Sequence, residues 1–310
     1  TYKAISREPL RSTYRDYEIV GFPPPSSGGV HVAQMLNMLA NWDVAGMAEV
    51  DRRHLVAEVM KLAFADRAHW LGDPDFAKVP RGLIDPAYAK ILSAKIDLKR
   101  ASNVTGHGTP RDADTHLFGK HTTHFCVADA AGNWVSCTQT INTTFGSGVV
   151  VPGTGVVLNN EMDDFAAQPG APNFFGLLGS ESNSVAAGKR PLSSMSPTIV
   201  LQDGEPVLAI GAAGGPTIIT QVLQGLINRL DLSLPLTECL SRPRLHHQWS
   251  PDRLVVETGM DASLRSALAA KGHELSFRKA LGASQALLRH PDGRLEAQAE
   301  TRVQSSSRAF

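Results

Sequence analysis

No apolar run in the chain approaches the ~20 residues that a membrane-crossing helix needs. Neither sign of charge is in excess, with 30 basic and 30 acidic residues and no basic block. That balance argues against nucleic acid as a partner. Cysteine is scarce: Cys126, Cys137 and Cys239 make an odd number, and no Cys-x-x-Cys spacing exists. A zinc site therefore loses its usual support, and cysteine usage does not settle the compartment. Also missing are a Gly-x-Ser-x-Gly elbow, a phosphate-binding Gly-x-x-x-x-Gly-Lys and a His-Glu-x-x-His pair. Serine-hydrolase, nucleotide-binding and zinc-protease chemistry lose their main signatures with them. The first residues have neither a Met nor an apolar signal core. They read as the result of a removed leader or as a start inside a longer protein.

What is present is the composition of an ordinary globular protein, 42% hydrophobic and 19% charged over 310 residues. That length suffices for one large domain or two smaller ones, burying roughly three quarters of the unfolded surface. The first part reads as helix-dominated. A short strand over 17–22 runs into Pro23-Pro24-Pro25-Ser26-Ser27-Gly28-Gly29, where Ser26 or Ser27 caps a helix over 30–39. Further helices are expected over 51–71 and 87–96. Residues 99–121 are rich in Ser, Asn, Thr, Gly, Pro, Asp and His without apolar periodicity, the texture of a flexible linker.

After residue 122 the texture turns to strands, expected over 135–141, 155–158, 198–201, 207–210, 254–257, 275–277, 286–289 and 295–297. Helices are expected over 217–230 and 262–270. The absence of a regular βαβ rhythm suggests a layered α/β sandwich. Cys126 and Cys137 flank Ala131-Gly132-Asn133 almost symmetrically, so they are expected to face each other across a hairpin, as small buried thiols or as a disulfide.

Chemistry starts at Thr122-Thr123, which opens that hairpin, with Thr140-Ile141-Asn142 on its return strand. A threonine hydroxyl needs a base to become a nucleophile. If the chain is cut between His121 and Thr122, the freed α-amine, with a pKa of about 7.7–8.0, can serve. A threonine that simply starts a strand is the plainer reading of Thr122 alone. Gly214-Gly215-Pro216 before a helix offers unhindered N–H groups at a positive dipole end, suited to an oxyanion or to a tight turn. Asn159-Asn160-Glu161-Met162-Asp163-Asp164 gathers three carboxylates and two amides, suited to an ammonium group, a metal or a solvated loop. Pro191-Leu192-Ser193-Ser194-Met195-Ser196-Pro197 is hydroxyl-rich and suits a carboxylate or a plain turn. His246-His247 lacks a carboxylate at metal-binding spacing. Asn103-Val104-Thr105 and Asn142-Thr143-Thr144 match the glycosylation pattern, though Asn142 lies too close to the proposed chemistry to carry a sugar.

Taken together, these stretches resemble the γ-glutamyltranspeptidases, which are N-terminal nucleophile hydrolases. The resemblance also rests on Ala65-Asp66-Arg67, Gly72-Asp73-Pro74, Phe145-Gly146, Phe165, Lys189-Arg190 and Thr198, all in family order over nearly the whole chain. It implies a four-layer αββα sandwich and a precursor that cuts itself at His121–Thr122. Residues 1–121 would be the C-terminal part of a large subunit, and 122–310 the small catalytic subunit. It implies further that Thr122 attacks the γ-carbonyl of glutathione or another γ-glutamyl compound. The resulting ester would pass to water, an amino acid or a dipeptide. By correspondence Thr140 steadies the nucleophile, and Asn142, Glu161 and Asp164 hold the substrate's α-amino end. Ser193 and Ser194 hold its α-carboxylate, and Gly214 and Gly215 form the oxyanion hole. No metal or organic cofactor is required, and a periplasmic or secreted location is the family's suggestion for a bacterial member.

Two departures from the family pattern stand out. The family's large subunit normally extends far upstream of residue 1, in a part carrying an arginine for the substrate carboxylate. In the lid-like segment 169–176, Phe175 stands where a tyrosine is common. Alternative readings keep the nucleophile and change the substrate, as in a cephalosporin or glutaryl acylase or a poly-γ-glutamate hydrolase. A truncated, non-catalytic homologue is a third.

Overall fold

In the computed structural model, residues 3–110, 123–166 and 168–308 are described. Leu10–Tyr14 (β1) and Tyr17–Gly21 (β2) form a hairpin turned by Arg15 at φ 53°. The sequence hides β1 because only Leu10 and Tyr14 are buried, with three polar residues between them. Ser27–Leu39 (α1) starts three residues earlier than expected. The Ser26 side chain accepts from the Gly28 amide as its cap. Gly28 and Gly29, which look like helix breakers, are packing requirements: a Cβ at Gly28 would overlap the Met195 carbonyl oxygen, and one at Gly29 the Phe22 carbonyl oxygen. Glu49–Trp70 (α2) and Pro86–Ser93 (α3) follow, the latter capped by Asp85 with proline at its first position.

Thr123–Ala128 (β3) and Trp134–Gln139 (β4) form the expected hairpin. Next come Thr198–Gln202 (β5), Glu205–Ala213 (β6), Thr217–Leu230 (α4), Leu236–Ser241 (α5) and Leu245–His246 (β7). Leu254–Glu257 (β8), Ala262–Ala270 (α6), Leu275–Arg278 (β9), Ala283–Arg289 (β10) and Leu295–Gln298 (β11) complete the order.

One antiparallel sheet runs β1-β2-β5-β6-β10-β11. Its register aligns Ile19 with Val200, Val200 with Leu208 and Leu208 with Leu288, so one buried apolar row crosses four strands. Helices α1 and α4 pack on the face carrying Leu208, Ile210 and Ala212, and α2 packs against α1. Each leucine or isoleucine so buried contributes about 1.5–3 kcal/mol. On the other face, a Cβ at Gly211 would overlap the His124 imidazole, which places the β3–β4 hairpin there. The described residues therefore stack as helices, sheet and hairpin, an α/β architecture. Strands from both sides of residue 122 share this sheet, since β2 pairs with β5.

Three expectations are corrected. Residues 155–158 form no strand and contribute only an isolated bridge between Val150 and Val157. The described part of the linker, 99–110, is irregular but tied down: Ser102 N donates to Glu58, Gly108 N to Asp66, and the Trp249 indole to the Val104 carbonyl. Such side-chain anchors leave no periodicity to read. Residues 111–121 lie outside the described residues. Finally, register pairs Phe125 with Cys137 and Cys126 with Ser136, so the two cysteines point to opposite faces and both are free. No helix among the described residues is long and apolar enough to cross a membrane.

Candidate active site

Strand β4 ends where the chain must turn toward the carboxylate-rich segment. The Asn142 amide donates to Thr140 Oγ1 at 2.8 Å, and Asn142 sits at φ 76°, a left-handed conformation that asparagine tolerates. Its Nδ2 donates to the Asn160 carbonyl at 2.7 Å, while the Asn160 amide donates to the Ile141 carbonyl. Residues 140–142 are thereby locked to the segment that leads into the 3-10 turn Glu161–Asp164. Asn142 Oδ1 is buried without a hydrogen-bond partner among the described residues, a cost that a donor on a ligand would relieve.

Beyond β6, Gly214 at φ 138° and Gly215 at φ 61° turn the chain into α4. A Cβ on Gly214 would come within 2.9 Å of Gly282 Cα, so side chains are excluded by both conformation and space. Thr217 Oγ1 donates to the Gly214 carbonyl, and Gln221 Nε2 donates to the Ala213 carbonyl and to Thr217 Oγ1. These bonds fix the turn at the positive end of a 14-residue helix with no acid in its first turn.

The two halves meet around a cavity of about 740 Å³ lined by Thr123, Thr140, Asn142, Phe175, Gly214 and Gly215 among others. Thr123 is the first residue of β3 and lies directly after Thr122. Thr122 and His121 themselves lie outside the described residues. Glu161 lines a neighbouring cavity of about 870 Å³, which shares Thr140 and Ile141 and includes Pro191 and Met195. Asp164, Ser193 and Ser194 are buried and line neither cavity. Ser193 Oγ accepts from the Met195 amide at 3.0 Å and lies 3.4 Å from Ser26 Oγ.

Several residues that matter here carried no assigned role in the sequence. Asn173 Nδ2 donates to Asp164 Oδ1, while its Oδ1 accepts from the Phe175 and Leu177 amides. An asparagine bonding backbone two residues on is a turn signal that could have exposed it. Gln248 Nε2 grips the Phe175 carbonyl. Arg67 is fully buried. Its Nε donates to Ser27 Oγ at 3.1 Å, and its Nη2 reaches Ser194 Oγ at 3.4 Å and the Ser193 carbonyl at 3.5 Å. Desolvation pushes its pKa down to about 9.

His124 donates or accepts toward Thr138 Oγ1 at 2.8 Å and Cys126 Sγ at 3.1 Å, and burial pushes it down to about 4. Burial likewise pushes the Cys126 thiol up to about 12, so the pair is neutral and not a thiolate site. His246 bonds Thr220 and Gln248, not a metal partner. A second cluster, His54, Glu58 and His273, has potential metal-ligating atoms close together. There His54 Nε2 donates to the Asp97 carbonyl, which leaves Nδ1 to accept from His273 Nε2 at 2.8 Å. The Lys61 ammonium sits 3.0 Å from Glu58. Glu58 Oε2 accepts from the Ser102 amide, while Oε1 faces the Lys61 ammonium as an ion pair.

The family model for gamma-glutamyltranspeptidase matches residues 1–310. The chain belongs to the gamma-glutamyltranspeptidase family. Among its relatives is the glutathione hydrolase proenzyme of Escherichia coli, 45% identical over 301 residues, or 95% of this chain and 51% of that protein. The gamma-glutamyltranspeptidase of Pseudomonas nitroreducens, solved with L-DON, superposes with a TM-score of 0.59 at 40% identity. It covers 61% of this chain and 100% of the solved one. The cephalosporin acylase of Bacillus halodurans superposes with a TM-score of 0.80 at 27% identity, over 95% of this chain and 51% of its own. The chain spans about half the length of the curated relatives it matches.

Proposed function

We propose that this chain is the catalytic part of a self-processing γ-glutamyl transferase and hydrolase. What carries the reading is the meeting of Thr140, Asn142, Gly214 and Gly215 around one cavity, at the point where β3 begins one residue after Thr122. Cleavage of His121–Thr122 divides the chain into 1–121 and 122–310, which stay together through their shared sheet. The freed α-amine takes the Thr122 hydroxyl proton, and the oxygen attacks the γ-carbonyl of glutathione or another γ-glutamyl amide. The Gly214 and Gly215 amides face the developing oxyanion. One such donor is typically worth ~3–4 kcal/mol of barrier. The amine leaves with the proton, and the γ-glutamyl ester on Thr122 passes to water, an amino acid or a dipeptide.

Asn142, Glu161 and Asp164 hold the substrate's α-ammonium end, and Ser193 and Ser194 its α-carboxylate. Phe175 covers the site. No metal or organic cofactor enters these steps. In the whole protein we expect the helix, sheet and hairpin layers to be completed into a four-layer αββα sandwich. On family grounds we expect a periplasmic or secreted location. Mass spectrometry tests the core of this reading. Two masses split before Thr122, and loss of both splitting and activity in Thr122→Ala, are expected; an uncut chain that turns over γ-glutamyl amides sinks it.

A second reading keeps the nucleophile and exchanges the substrate for a glutaryl or cephalosporin amide, favoured by the likeness to a cephalosporin acylase. The retained amide and carboxylates at 142, 161 and 164 suit an α-ammonium group that a glutaryl chain lacks. Turnover of glutaryl amides with none of γ-glutamyl amides would decide for the acylase.

A further inference from the structure

A buried cation without an anionic partner is costly, and among the described residues Arg67 has none. It is fully buried and its hydrogen-bond partners are neutral: the Ser27 and Ser194 hydroxyls and the Ser193 carbonyl. Asp66, next to it on α2, points elsewhere and is consumed by Gln34, Tyr88 and the Gly108 amide. Among the described residues no carboxylate offsets the desolvation of Arg67. The surroundings add to the positive field. The N-terminus of the 13-residue α1 abuts the same segment, with the Ser27 amide donating to the Ser193 carbonyl and no acid in the first turn. The Ser27 hydroxyl bonds the same carbonyl.

We propose that Arg67 is the buried positioning residue of the carboxylate subsite, its charge directed through Ser194 so that Ser193 and Ser194 favour an anionic α-carboxylate over a neutral group. The proposal rests on the γ-glutamyl reading and deepens it. Arg67 does not touch the substrate. It fixes the Ser193 carbonyl from behind and, by donating to Ser194 Oγ, frees that hydroxyl's own hydrogen to point at an incoming oxygen. The carboxylate then supplies the anion that the buried guanidinium lacks. The neighbouring cavity reaches this segment through Pro191 and Met195, on either side of the serine pair.

The test compares inhibition by L-glutamate and by its α-carboxamide, which differ only in that charge. In Arg67→Met the L-glutamate inhibition constant rises about tenfold or more while that of the α-amide moves less than threefold. Arg67→Lys, which keeps the charge and loses the fork, retains most of the preference. A purely structural role weakens both ligands equally, and that result overturns the proposal. So does an unchanged preference in Arg67→Met. Should Arg67→Met not fold, Ser27→Ala, which removes the Nε acceptor, serves instead. It is expected to lower the preference about threefold, and equal effects on both ligands again overturn the idea. A wild-type protein that binds neither ligand overturns the γ-glutamyl reading itself. A wild type that prefers L-glutamate, beside variants that keep the preference, overturns only the role of Arg67.

Discussion

The Phe175 ring lies 2.9 Å from the point where a Cβ on Gly215 would sit. The side chain proposed to cover the site thus rests directly on the turn proposed to bind the oxyanion. Gly215 also holds φ 61°, so Gly215→Ala introduces both strain and a clash. We expect kcat to fall about a hundredfold or more, the loss typical of a displaced oxyanion donor. The stability cost is expected to be about 1–3 kcal/mol. Steady-state kinetics beside a urea titration separates the two, and unchanged kcat would show that the turn does not stabilise the reaction.

Phe175 keeps an aromatic cover and has no hydroxyl to anchor it. Phe175→Tyr supplies one, which slows opening to a bulky amine more than to water. The transfer-to-hydrolysis ratio at fixed acceptor is expected to fall about twofold or more. An unchanged ratio counts against a gating role for this side chain.

Asn173 links the segment of Phe175 to Asp164, since one side chain bonds Asp164 Oδ1 and the amides of Phe175 and Leu177. Asn173→Ala leaves three groups to find water. We expect KM for a γ-glutamyl amide to rise about five- to thirtyfold, the effect of 1–2 kcal/mol. Unfolding temperature should change little, because the segment is exposed on its other side. A large drop in unfolding temperature with unchanged KM would assign Asn173 to the fold alone.

Legibility in the sequence followed the physics of each element. Helices α4 and α6 and strand β8 stand where expected, bounded by turn residues, although α4 is buried all round over 218–227 and α6 buries only Leu268. Strand β1, α5 and β7 are too short to carry a readable period, and β1 buries only its two ends. Thr140, Asn142, Gly214 and Gly215 were legible as motifs, and they converge on one cavity. Asn173, Gln221 and Gln248 were not. Gln248 holds a backbone group distant in sequence, while Asn173 and Gln221 bond near neighbours, and a lone amide side chain does not announce which partner it takes. Arg67 was legible as part of a motif, but its burial without a carboxylate exists only in three dimensions.

The buried histidines give a pH dependence whose sign can be worked out. Burial, opposed by the hydrogen bond to Gln248 and aided by His247, pushes His246 from its ordinary 6.5 down to about 4. Between those values the unfolded chain binds a proton that the folded one refuses, so stability rises with pH across that window. It is complete above about pH 6.5 and is lost progressively as pH falls toward 4. The difference between the two states corresponds to about 3 kcal/mol. His124, also pushed down to about 4, acts in the same direction. We expect the unfolding temperature to fall steadily from pH 7 to pH 4. Replacing His246 with glutamine, which keeps a polar group beside Thr220 and cannot take up a proton in this range, should flatten that slope. A variant with the wild-type slope would assign the acid sensitivity to other groups.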